Sequence, residues 1–286
     1  MEVNAKKSED WEWEIDAGRS WFRWELASIG QYKDLLLRLV RRDLLANYQQ
    51  TVLGPLWILL QPVLTTLVYW IIFGQIVKVS TDGAPALLFY LTGIIIWNFF
   101  SDCLNGTMYT FFSNAAVFSK VYFPRLIVPF SNVIAQSVRL AVQLLLFFII
   151  YVIFFAAGKV GLPSAAIWLL PLLVLQAALF GLGAGLIISV ITAKYRDLDY
   201  TFQFILRLWM FACPVVYPAS LVPDKYRLWF WLNPLTPVIE TFRAACFTHE
   251  AIRYGYLWAS LSFTGVILVV GLAVFKRHEL TVMDII

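Results

Sequence analysis

Apolar runs without a single charge dominate the chain. Leu44 to Val77 holds 34 such residues, Gly83 to Ser101 holds 19, Leu140 to Gly158 holds 19, Val160 to Ala193 holds 34 and Tyr254 to Phe275 holds 22. About 20 helical residues, rising 1.5 Å each, cross the hydrocarbon of a bilayer, so nearly every run is long enough to span. The pattern predicts six spans, over residues 53–77, 86–109, 126–157, 166–193, 201–217 and 255–275. Ahead of them, QYKDLLLRLVRRDLLAN at 31–47 sets Leu35, Leu36, Leu39, Val40 and Leu44 near one face and Lys33, Arg38, Arg41 and Arg42 near the other. That is the pattern of a helix lying in the membrane plane with its basic side against anionic headgroups. A plain extension of the first span is the alternative.

Composition agrees, because 60% hydrophobic and 14% charged residues in 286 give more apolar surface than one water-soluble core buries. Residues 1–30 read as a polar, Trp-rich leader without the apolar run of a cleavable signal. Six crossings put both termini on one side, and that side collects 14 Lys and Arg against 6 on the other. The positive-inside rule therefore assigns both termini to the cytoplasm. Cys103, Cys213 and Cys246 have no metal-ligand spacing and read as buried thiols.

Polar residues inside the spans fall into stripes. Asn132, Gln136, Arg139 and Gln143 recur at spacings of four, three and four, which is one face of a helix. Asn98, Asp102, Asn105, Tyr109 and Phe112 repeat that pattern in the second span. Such groups are costly in lipid and must face a neighbouring helix or a wet cavity. Two adjacent stripes would line a path for a polar solute, while hydrogen bonding between helices is an equally good account of any one of them. Arg139 and Arg207 are the basic residues placed within spans, with an anionic headgroup or an internal carboxylate as the alternative partners. Residues 218–255 carry Pro218, Pro223, Pro234 and Pro237 among aromatic residues, which predicts short re-entrant or interfacial helices over the outer mouth.

Catalytic patterns are missing from the sequence. It contains no G-x-x-x-x-G-K-[ST] loop and no G-x-S-x-G elbow, and its two histidines, His249 and His278, stand apart from ligand-spaced partners. Energy for transport has to come from an ion gradient or a second protein. NAAVFSKVYFPR at 114–125, short and aromatic in a cytoplasmic loop, is a docking surface or an interfacial elbow.

RRDLLANYQQTVLGPLWILLQP at 41–62, FSKVYFPRLIVP at 118–129, ITAKYRDLDY at 191–200, CPVVYP at 213–218 and LNPLTPVIETFR at 232–243 together resemble the membrane subunit of ABC-2 type polysaccharide exporters, which move O antigen, capsule or teichoic acid. The resemblance covers about residues 31–286. It implies an all-α membrane protein with six transmembrane helices, an N-terminal interfacial helix, a cytoplasmic coupling helix and short outer re-entrant gate helices. It also implies a homodimer in the bacterial inner membrane, carrying a lipid-linked polysaccharide and docked to a separate ATPase subunit that binds ATP and Mg; nucleic acid has no place in it. On this likeness the coupling helix is Phe118, Ser119, Lys120, Val121, Tyr122, Phe123 and Pro124. The lipid headgroup entrance takes Arg41, Arg42, Tyr195, Arg196 and Asp197, and the outer gate Trp229, Trp231, Pro234, Pro237 and Glu240. Tyr109, Phe112 and Tyr200 are the candidate stacking platforms for sugar rings along the channel. A drug or lipid permease of the same superfamily, an ion-coupled transporter and a membrane glycosyltransferase are the competing readings.

Overall fold

The computed structural model describes residues 30–46, 49–118, 123–248 and 252–283. Ten α-helices and no strand occur among them: α1 (Lys33–Ala46), α2 (Trp57–Tyr69), α3 (Ala86–Met108), α4 (Thr110–Phe118), α5 (Ile127–Ala156), α6 (Leu170–Lys194), α7 (Leu198–Phe211), α8 (Asp224–Leu232), α9 (Leu235–Arg243) and α10 (Tyr254–Met283). A 3₁₀ turn leads into α2 and π-helical turns extend α2 and α9, so α2 runs within a continuous helix Gly54–Ile76. Five helices are long and apolar enough to cross a membrane, at Gly54–Ile76, Ala86–Met108, Ile127–Ala156, Ala165–Lys194 and Tyr254–Glu279.

The fifth of the six predicted spans, 201–217, takes a different form. Its helix, α7, has 14 residues, about 21 Å at 1.5 Å per residue, and ends before Pro214, which has no N–H to continue the ladder. The chain nevertheless runs from one end of the bundle to the other. Asp199 at its start accepts from Tyr109 at the end of α3, and Ser220 beyond it donates to Asp82 ahead of α3.

Burial is uneven in a way that fits lipid as the solvent. Leu88 to Trp97 of α3 is buried without a break, making α3 the axis around which the other helices pack. The long outer helices leave Leu64, Val68, Leu145, Val152, Ile153 and Val266 bare; no hydrophobic penalty attaches to such faces in hydrocarbon. α6 packs along both α3 and α10. The α6–α10 contact is backbone on backbone, since a Cβ on Gly271 would lie 2.4 Å from the Gly183 carbonyl oxygen and one on Gly183 would lie 2.8 Å from Leu268 Cα. Small residues allow this close approach where helices associate in lipid.

The two ends of the bundle differ. One gathers α1, α4, the 194–199 connection and the end of α10, where Arg42 Nη2 donates to Asn114 Oδ1 at 2.9 Å and Arg125 donates to the Glu279 carbonyl. The other gathers residues 77–84, 157–164, 212–222, 244–248 and 252–253, tied by Ser164 N–H to the Ala245 carbonyl at 2.8 Å and by Tyr151 Oη to the Cys246 carbonyl at 2.8 Å. Cys103, Cys213 and Cys246 are all buried free thiols, as the sequence suggested.

Gly271→Val should place methyl groups against the Gly183 backbone, which cannot yield as a side chain would. Overpacking costs about 1–3 kcal/mol, so the purified variant should show a clearly lower midpoint of thermal unfolding in detergent. An unchanged midpoint would mean that the α6–α10 contact is looser than described.

Candidate functional site

The α5 stripe is real and is spent on packing. Asn132 Nδ2 reaches the Cys103 carbonyl of α3 at 3.5 Å and Gln136 Nε2 donates to Asn132 Oδ1 at 3.3 Å. Arg139 gives Nη1 to Gln136 Oε1 at 3.1 Å and Nη2 to the Asp43 carbonyl at the end of α1 at 3.1 Å, and its charge also acts on Asp102. Gln143 Nε2 donates to the Ile58 carbonyl of α2 at 3.3 Å. One face of α5 thereby fastens three neighbouring helices, the hydrogen-bonding account weighed from the sequence.

The α3 stripe divides. α3 stops at Met108, so Tyr109 caps it and Phe112 belongs to α4. Asn98 is half-buried and Asp102 exposed, whereas Asn105 and Tyr109 meet α7. There Tyr109 Oη donates to Asp199 Oδ1 at 2.6 Å, and Gln203 Nε2 donates to Asn105 Oδ1 at 2.8 Å and lies 3.3 Å from Tyr109 Oη. Arg196 sits over the Phe112 ring at 5.6 Å. The entrance candidates Tyr195, Arg196 and Asp197 are exposed beside this seam, as are Arg41 and Arg42 on α1. Of the docking segment, Phe118 and Phe123 are buried against each other at 5.7 Å, Pro124 follows them, and Ser119, Lys120, Val121 and Tyr122 lie outside the described residues.

Tyr200 is 81% exposed and heads a row on α7 that the sequence reading did not assemble: Phe204 at 61%, Leu208 at 53% and Phe211 at 52%. Spacings of four, four and three put them on one helical face. Arg207 is exposed beside them, with no hydrogen bond or ion pair among the described residues.

At the opposite end, α8 and α9 fold back as a pair of short helices. Trp229 is exposed, Trp231 is buried and stacks on Tyr256 at 5.2 Å, and Pro234 and Pro237 are buried at the start of α9. Glu240 pairs with Arg243 at 3.2 Å. Arg243, 3% exposed, was quoted in the sequence motif but given no role there. Its Nη2 donates to the Phe89 carbonyl at 3.2 Å and the Val215 carbonyl at 3.0 Å, its Nε to Thr92 Oγ1 at 3.3 Å, and its guanidinium lies 3.5 Å from the Phe89 ring centroid. Gly93 makes room for it, because a Cβ there would come within 2.9 Å of Arg243 Nη2 and 2.8 Å of the Val215 carbonyl. The signal available in the sequence was the i, i+3 spacing of Glu240 and Arg243 in an otherwise apolar helix.

An all-helical bundle with five membrane-length helices among the described residues, polar stripes inside them that meet neighbouring helices, and short helices folded back at one end is the architecture of a polytopic membrane protein. Residues 34–247 match the ABC-2 type transporter family, and the chain belongs to that family. It is similar to an O-antigen export system permease protein RfbA of Klebsiella pneumoniae, 29% identical over 261 residues covering 91% of this chain and 97% of the relative. The RfbA of Myxococcus xanthus is 30% identical over 245 residues, 81% of this chain and 92% of that protein. The polysialic acid transport protein KpsM of Escherichia coli is 26% identical over 254 residues, 83% and 91% of the two chains.

Replacing Arg243 by Met should leave Glu240 without its cation and the Phe89 and Val215 carbonyls without this donor. Breaking a buried pair from one side costs about 3–5 kcal/mol, so Arg243→Met should lose most of its folded yield after heating. The double variant with Glu240→Gln should recover part of that loss, since it removes the orphaned charge; thermal unfolding of both variants and the parent measures the difference.

Proposed function

We propose that this chain is the membrane-spanning subunit of an exporter that carries a lipid-linked polysaccharide of the O-antigen kind across the bacterial inner membrane. Its relatives are named for export of O antigen and transport of polysialic acid, and they match it along most of their length. The observation that carries the reading is the bare face of α7. A guanidinium in mid-span costs about 2.5–3.5 kcal/mol when it faces lipid, so Arg207 belongs to a wet path or a protein partner. Tyr200, Phe204 and Phe211 beside it offer ring faces on which the C–H surfaces of successive sugars slide without fixed hydrogen bonds.

On this reading two copies face each other across α7, so that each bare face closes half of one conduit. Asn98, Asp102, Asn105 and Tyr109 then border its inner part. ATP and Mg belong to a separate ATPase subunit seated under Phe118–Pro124, and this chain holds no cofactor and no catalytic site of its own. Both termini lie in the cytoplasm, where Arg41, Arg42, Tyr195, Arg196 and Asp197 surround the lipid headgroup as it enters. α8 and α9, with Trp229, Trp231 and Glu240, close the outer mouth. The polar leader read in the sequence at 1–30 lies, up to residue 29, outside the described residues.

Two measurements test this. Tyr200→Ala with Phe204→Ala, produced with the partner ATPase in cells that make the polymer, should cut surface polymer about tenfold or more, each stacked ring contributing about 1 kcal/mol. Membrane abundance and complex formation should hold, and wild-type export by the double variant would remove α7 from the conduit. Separately, scrambling residues 118–124 should abolish co-purification of the ATPase; retained association would place docking elsewhere.

A further inference from the structure

At the end of the bundle away from α1 and α4, a cavity of about 290 Å³ opens between the Thr81–Ala84 turn, the Pro218–Ser220 turn, α8, α9 and residues 252–253. Three guanidiniums, of Arg227, Arg243 and Arg253, and two carboxylates, of Asp82 and Glu240, line it, with Trp231 in its wall. What matters is which of these groups are already committed. The one hydroxyl proton of Ser220 is shared between the two Asp82 oxygens, which lie 3.0 and 2.8 Å from its Oγ. Glu240 accepts from Arg243 Nη1 at 3.2 Å and from the backbone N–H of Ala219.

The donors are not used up in the same way. Each guanidinium has five N–H groups. Arg243 commits four, to Thr92, Glu240, Phe89 and Val215, which leaves one on Nη1. Arg227 gives one bond to Asp224, a residue whose side chain is 86% exposed. Arg253 makes no side-chain hydrogen bond or ion pair among the described residues; it rests 5.0 Å over the Trp231 ring, and that ring is held by its stack with Tyr256. The wall therefore has spare charged donors, while each of its carboxylates already accepts from a donor of the protein.

A ligand that suits such a wall is rich in acceptors and negatively charged, because carboxylate and phosphate oxygens take two parallel N–H bonds from one guanidinium. We infer that this cavity binds an oxyanion, a carboxylate or phosphate carried on a group of about monosaccharide size, held by Arg253 and Arg227 at the mouth above the Arg243 floor. This goes beyond the export reading and does not depend on it.

The test uses the full-length chain in nanodiscs of phosphatidylcholine, with saturation-transfer NMR to follow glucuronate, glycerol 3-phosphate and glucose. Both oxyanions should saturate, and glucose should bind about tenfold more weakly or not at all, since one charge-assisted bidentate contact accounts for about that factor. Arg253→Gln should weaken both oxyanions about tenfold, and Arg253→Lys should keep part of the affinity. Saturation by glucuronate alone would identify a sugar acid as the ligand, and by glycerol 3-phosphate alone a lipid-type phosphate; either supports the site. Glucose binding as tightly as glucuronate to the unaltered protein would overturn it, as would unchanged oxyanion binding in a folded Arg227→Gln, Arg253→Gln double variant.

Discussion

Backbone that leaves the helical ladder inside an apolar slab must find its hydrogen bonds within the protein, and here the side chains of Arg243 and Asn233 supply donors for it. Cys213, Val215 and Val216 are buried where α7 gives way to irregular chain. An unpaired carbonyl there costs several kcal/mol in lipid. Arg243 takes the Val215 carbonyl, and Asn233 Nδ2 takes that of Ala212 at 3.2 Å. Both side chains come from the stretch 232–243, so the segment that folds back also supplies the donors that make folding back tolerable. Glu240 offsets the charge that this solution buries.

That dependence explains what the sequence disclosed and what it withheld. The predicted spans 53–77, 86–109, 126–157 and 166–193 meet the first four long helices within a residue at each end, because lipid imposes length and apolarity on each helix by itself. The last helix, by contrast, runs past the predicted end at 275 to Met283 through charged residues that hydropathy does not count as span. Proline clustering disclosed α8 and α9. The end of α7 at Phe211 was not legible from hydropathy, since residues 212–217 remain apolar while Pro214 and the packing against α3 bend them. Arg243 was not legible either, because its role depends on carbonyls at positions 89 and 215 that only the fold brings together.

The polar stripes make the same point from another side. Periodicity placed Asn132, Gln136, Arg139 and Gln143 on one face, but it carried no information on whether that face meets water or a helix. The structure assigns them to α3, α1 and α2. α7 presents the opposite case. Its sequence, LDYTFQFILRLWMF, looked like a modest span, yet Gln203 and Asp199 turn to α3 while Tyr200, Phe204 and Arg207 turn away from the chain. What distinguishes the two faces is the partner each has, which one chain's sequence does not contain.

α7 is also fastened at both ends of the molecule. At one end it is held by Tyr109 and Asn105; at the other its continuation is held by Arg243 and Asn233. α3 contributes to both attachments, and its unbroken buried stretch makes it the rigid member of the pair. A short helix fastened at each end by a few directional bonds, beside a rigid rod, has two arrangements within reach more readily than a long helix packed along its whole length. Under the proposed export cycle, a push delivered near α4 reaches Tyr109 directly, and α7 joins α3 and α6 as a route from there to the outer helices, so the polar attachments of α7, and not its apolar face, tie this short helix to both ends.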